Sequence, residues 1–166
     1  FNTLDDFLEG QVLIIDKPIG WTSFDVVNKL RGTIRHTFDI KKIKVGHAGT
    51  LDPLATGVLV VCTGRKTKTL DILQAEQKTY TGTIRLGITT PSFDSETEVD
   101  NYCDLAILDS INPSSIENTS TKFIGNIDQM PPQFSAKKVD GVAAYKAARK
   151  GKTVNLKPKA VTINSF

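Results

Sequence analysis

The sequence predicts an α/β (α+β) fold, and three features carry that reading. Two short β-branched runs, residues 12–15 and 57–62, have the composition of strands, the second almost wholly apolar as in a strand buried on both faces. Between them Val26, Val27 and Leu30 recur at helical spacing, with Ile34 extending the stripe. The chain of 166 residues is long enough to bury a core, and its length predicts one domain spanning residues 1–166.

Taken in order, the strand at 12–15 runs into Asp16-Lys17-Pro18, where proline ends the ladder. Ser23 is positioned to cap the helix that follows. Residues 41–57 hold Gly46, Gly49, Pro53 and Gly57, which predicts a long ordered loop. The buried strand comes next, then a short helix over 67–74. Residues 79–86 alternate Tyr80, Gly82, Ile84 and Leu86 with Thr79, Thr81, Thr83 and Arg85, predicting a strand with one polar face. Residues 91–112 are turn-rich, Ser114 is placed to start a helix, and 142–150 has the alanine content of another. Val161, Ile163 and Phe166 alternate with polar residues, so the chain is expected to stop in or just after a strand. A domain seldom finishes on an unpartnered edge, which predicts a chain truncated at its C-terminal end.

Composition narrows the function. With 39% apolar and 23% charged residues and no long apolar run, the chain does not read as a membrane protein. Its first ten residues carry Asp5, Asp6 and Glu9 where an export signal needs a basic start. Cys62 and Cys103 lie far apart without a CxxC spacing, suggesting neither zinc nor a disulfide framework, so a cytoplasmic protein is expected. A net charge of +3 does not by itself announce nucleic acid. Its distribution says more: between residues 137 and 159 Lys137, Lys138, Lys146, Arg149 and Lys150 are followed by Lys152, Lys157 and Lys159, against Asp140 alone. Such a cluster is either a solvated face or a phosphate-contacting surface, and charge alone does not choose.

Chemistry is expected in the glycine-punctuated loop, Gly46-His47-Ala48-Gly49-Thr50-Leu51-Asp52-Pro53-Leu54-Ala55-Thr56-Gly57. This run resembles the GHxGxLDPxAxG signature of the TruB family of pseudouridine synthases, with Asp52 at the catalytic position. The resemblance does not stop there. Residues 16–23 resemble the family's DKPxGxTS motif, and Lys78, Tyr80, Leu86 and Gly87 its KxYxxxxxLG segment. Pro131, Pro132, Ser135, Ala136, Lys138, Gly141, Tyr145, Ala148, Arg149 and Gly151 resemble a further family segment, so agreement in order covers nearly the whole chain.

The resemblance implies a pseudouridine synthase catalytic fold, a mixed, largely antiparallel sheet flanked by helices with the Asp52 loop in a cleft across it. It implies isomerisation of uridine in the TΨC arm of tRNA, with the nucleotide flipped into a pocket. Asp52 would act as the nucleophile. Its carboxylate has three open routes: stabilising or bonding C1′, helping to remove a sugar proton, or adding to C6 of the base. None calls for a metal or cofactor. The resemblance places Tyr80 and His47 beside the target base, and Lys17 behind the active-site loop. It also makes residues 129–152 a basic thumb-like insertion in which Lys137, Lys138, Arg149 and Lys150 contact RNA phosphates. For Asp52 the plain alternative is a turn residue bonding its own backbone; for Tyr80 and His47 it is structural packing. The resemblance further implies an arginine from a later strand to pair with Asp52, and that partner is not present before Phe166. Monomeric action on tRNA without a protein partner is expected. The rival readings are an RNA-holding fragment without turnover and a guide-RNA-dependent relative of the dyskerin type.

Overall fold

The structure is a computed structural model and describes residues 3–135, 137–139 and 141–166. Ala136 and Asp140, both used above, lie outside the described residues, as does the side chain of Lys138. The chain gathers into two compact units, Phe1–Thr81 and Gly82–Phe166, and each is described by itself.

The first unit opens with helix α1 (Leu4–Glu9) and strand β1 (Val12–Lys17), followed by helix α2 (Ser23–Thr37). Strands β2 (Val45–Ala48) and β3 (Gly57–Thr63) come next, then a 3-10 helix (Gly64–Thr69) running into helix α3 (Leu70–Ala75). The three strands form an antiparallel sheet in the order β1-β3-β2, with Ile14 opposite Val60 and His47 opposite Val61. The helical stripe read from the sequence does what its spacing predicts: Val26, Val27 and Ile34 are buried with Ile43, Val45, Leu59 and Val61, and Leu30 packs against them. Strand β3 meets the expectation of burial on both faces only in its second half, where Val61, Cys62 and Thr63 are all fully buried; its first half has a core on one face only. Leu59 is 1% exposed, whereas its neighbour Val58, on the opposite face, is 68% exposed. That opposite face is covered near Gly46, where an added Cβ would stand 2.7 Å from the end of the Leu70 side chain of α3, which would have to shift.

Two boundaries move for local reasons. Thr22, not Ser23, caps α2: its hydroxyl accepts from the Asp25 N–H at 3.1 Å, and the Asp25 carboxylate accepts from the Thr22 N–H at 2.8 Å. The expected loop 41–57 contains β2, because its residues 45–48 find a ladder partner in β3 that composition does not reveal. The larger correction concerns residues 79–86. They form no strand; Tyr80 and Ile84 are 73% and 72% exposed. Alternation supplies a face but not the neighbour whose hydrogen bonds make a strand, and no such neighbour lies beside this stretch among the described residues.

The second unit is built from short pairs. Strands β4 (Ile88–Thr89) and β5 (Asn101–Tyr102) pair, and helices α4 (Leu105–Asp109) and α5 (Pro113–Ser120) follow. Helix α5 starts one residue before the expected Ser114: Asn112 caps it and Pro113 takes the first turn, where a missing N–H costs nothing. Strand β6 (Gly125–Gln129) pairs with the last strand, set out below, and is too polar to announce itself. Strands β7 (Lys138–Val139) and β8 (Val142–Ala143) make a hairpin leading into helix α6 (Ala144–Ala148), so only part of the helix expected over 142–150 forms. The final strand, β9 (Lys159–Ile163), finds its partner in β6, with Ile127 opposite Val161. Every strand pair among the described residues is antiparallel. Mixed helix and antiparallel sheet is the α/β content that the sequence predicts. No helix of the described residues is long and apolar enough to cross a membrane.

Candidate active site

Three elements converge on the loop between β2 and β3. The first is the turn after β1. Lys17 is fully buried, and its ammonium donates to the carbonyls of Pro18 at 3.1 Å and Trp21 at 2.7 Å, fixing the turn from inside. Gly20 on that turn donates its N–H to the Pro53 carbonyl at 2.7 Å, tying the turn to the residue after Asp52. Lys17 therefore supports the loop at one remove, as expected.

The second element is the start of α2. Ser23, freed from capping by Thr22, is buried, and its hydroxyl binds the residue before Asp52 twice: it donates to the Leu51 carbonyl at 3.1 Å and accepts from the Leu51 N–H at 2.9 Å. Asp52 thus sits between two anchored neighbours. The hydroxyl of Thr22, and after it the Thr22 N–H, hold the Asp25 carboxyl below the usual carboxylate range. Because the folded-state value is depressed, this cap is at full strength above the ordinary carboxylate range and weakens as pH falls through the depressed value.

The third element is β2. His47 stands on it, half-buried, with Nδ1 2.7 Å from the Gly49 carbonyl. A carbonyl only accepts, so Nδ1 carries a proton and, in the neutral ring, Nε2 is left as the acceptor. Gly49 has φ of 101°, a backbone conformation that other residues adopt only with strain, and it turns the chain out of β2 toward Asp52.

The geometry of Asp52 separates the two readings of it. The turn is closed by its backbone, whose carbonyl accepts from the Ala55 N–H at 3.0 Å. Its side chain is exposed and, among the described residues, makes no hydrogen bond and no ion pair. A turn aspartate earns its place by bonding its own backbone with that carboxylate, and this one does not. One cavity of about 540 Å³ is lined by Gly20, Trp21, Asp25, Asn28 and Lys29, beside the Lys17-braced turn, and a second lies along α2; Asp52 lines neither.

The remaining expected residues are placed less tightly. Tyr80 lies in the exposed, unpaired stretch, and among the described residues no hydrogen bond joins it to Asp52 or His47. In the second unit Lys137 is exposed and donates to the Lys157 carbonyl at 2.8 Å. Arg149 is already engaged: it pairs with Glu96, which raises its pKa, and its guanidinium sits 5.2 Å from the Tyr145 ring centroid. Any phosphate reaching Arg149 must displace that carboxylate. Lys150 is exposed and free of side-chain bonds among the described residues. Burial pushes the Cys62 thiol up, so it is no nucleophile at neutral pH.

The comparisons with known proteins settle the family. A model described as the TruB family pseudouridylate synthase N-terminal domain matches residues 35–166. The chain belongs to this family. It is 51% identical over 161 residues to a protein named tRNA pseudouridine synthase B from Parabacteroides distasonis, covering 97% of this chain and 67% of that relative. A protein of the same name from Phocaeicola vulgatus is 52% identical with the same coverage. One from Flavobacterium johnsoniae is 49% identical over 165 residues, 99% of this chain and 71% of that relative. As a pseudouridylate synthase the chain is an isomerase, and the Ser23, Gly20 and Gly49 supports are what this member uses to present its loop. Sequence reading placed Ser23 in a motif but took it for a cap; a buried hydroxyl clasping a loop 28 positions away leaves no trace in one dimension.

Proposed function

We propose that this chain converts uridine to pseudouridine in the TΨC arm of tRNA, with Asp52 as the reacting carboxylate and its two units making up the catalytic domain. The observation that carries the reading is the division of labour at Asp52: the backbone closes the turn and the carboxylate stands exposed and unbonded. The substrate follows from the relatives' shared name. The reaction breaks the N1–C1′ bond, turns the base and joins C5 to C1′, releasing the C5 proton with no redox change. Every route open to Asp52 uses its negative charge, either at the sugar or at the base. His47 and Tyr80 flank the flipped base, and the enzyme works as a monomer in the cytoplasm. Tritium release from tRNA labelled at uridine C5 tests this in the full-length protein. The expected result is release of one label per tRNA, at the TΨC position; release elsewhere, or none, overturns it.

One observation favours a second reading. Among the described residues no cation pairs with Asp52, as suits a module that holds RNA without turning it over. Tight tRNA binding with no tritium release is the result that selects it.

RNA is held in part by the basic stretch of the second unit. Alanine at Lys137, Lys138, Arg149 and Lys150 together lowers tRNA affinity and reduces the slope of log K against log salt by about 3, because fewer counterions are released. The slope is measured by filter binding from low to moderate salt, and an unchanged value removes these residues from the interface.

A further inference from the structure

A cavity of the first unit, about 720 Å³, has no part in the site described above. Arg31 and Arg35 reach it from α2, Lys41, Lys42 and Lys44 from the connection to β2, and Arg65 and Lys68 from the 3-10 helix. No aspartate or glutamate lines it. Cations near a helix C-terminus are ordinary, and Arg35 in the last turn of α2 is explained that way. Lys41, Lys42 and Arg65 come from other elements, and one helix terminus, equivalent to about half an elementary charge, does not offset so many cations. Three segments brought together with a single sign of charge repel one another, and the fold bears this with no acid lining the same space.

The lining also says what kind of anion it takes. It has no aromatic ring to stack on a base, and Thr67, which bears its only hydroxyl, spends it on the Gly64 carbonyl at 2.8 Å. Arg31 is pre-set, one guanidinium nitrogen donating to Asn28 Oδ1 at 2.9 Å and another to the Val45 carbonyl at 3.0 Å. A row of fixed and flexible cations with no acid and no aromatic ring beside it suits a sugar–phosphate backbone. Strand β3 sets the distance: Gly57 follows the Asp52 loop, Thr63 precedes Gly64, which lines the cavity, and the six residue steps of the strand make about 20 Å.

We infer that this cavity grips the backbone of the substrate tRNA several nucleotides away from the target uridine, as a second anchor separate from the basic stretch of the second unit. The inference rests on the RNA substrate proposed above, and its test reads binding apart from chemistry. In the full-length protein, Arg35, Lys41, Lys42 and Arg65 are replaced together by glutamine, which keeps much of each aliphatic stem; Arg35→Lys with Arg65→Lys is the charge-retaining control. The probe is whole tRNA, its affinity measured across a salt series, with single-turnover tritium release at saturating tRNA alongside. The glutamine variant is expected to lose at least about tenfold in affinity and about 3 from the salt slope, the lysine control to keep both, and the single-turnover rate at saturation to stay at the parental value. An unchanged slope overturns the inference, and so does an equal fall in the saturated rate, which would make the cavity part of the catalytic site. Failure of the catalytic reading is seen separately, as parental protein that binds tRNA and releases no tritium.

Discussion

Asp52→Asn abolishes isomerisation, lowering the single-turnover rate by about a thousandfold or more, while tRNA affinity stays near the parental value. The substitution keeps the shape of the side chain and leaves the Asp52 backbone carbonyl free to accept from Ala55, so the turn survives. What it removes is the charge on a carboxylate that bonds nothing else among the described residues, and every proposed route needs that charge. Affinity survives because RNA is held mainly through phosphates, and one anion fewer beside a polyanion is if anything favourable. The measurement pairs single-turnover conversion of tRNA with its dissociation constant in the full-length protein. Near-parental conversion by the asparagine variant would sink the assignment of Asp52, and joint loss of binding and turnover would return it to a residue that merely shapes the loop.

Ser23→Ala has the next largest effect. It deletes one hydroxyl and leaves the N–H and carbonyl of Leu51 without the partner that meets both. Buried polar groups stripped of a partner cost about 1–3 kcal/mol, and for a unit of this size that lowers the melting temperature by roughly 5 °C or more. Turnover falls further than stability suggests, by about tenfold to a hundredfold, because Leu51 carries Asp52 and a displacement of a fraction of an ångström at a reacting carboxylate is felt in the rate. Single-turnover rates are compared well below the melting transition, with Thr22→Ala as control, since that change weakens the cap of α2 without touching Leu51. If Ser23→Ala melts earlier yet turns over at the parental rate, Ser23 is a fold residue only.

How far the sequence reaches is visible element by element. The stripe of α2 is legible because helical spacing and burial are the same fact seen twice. The loop is legible because glycine at position 49 is demanded by a backbone angle, and angle and residue type are tied locally. Strand β6 is not legible, since one isoleucine among polar residues acquires strand character only from β9, more than thirty positions away. Residues 79–86 err the other way: their alternation is real and their ladder partner is missing among the described residues.

The functional residues divide along the same line. By itself the sequence determined the family, the loop that carries Asp52 and the basic stretch of residues 137–159, because motif order and residue type are written along the chain. Only tertiary structure decided that Ser23 clasps Leu51 rather than capping α2, that Arg149 is held by Glu96, and that Arg35, Lys41, Lys42 and Arg65 line one cavity. Each depends on groups far apart in sequence meeting in space. Whether a hydroxyl, a guanidinium or an ammonium is free or engaged is set by what the fold carries up to it.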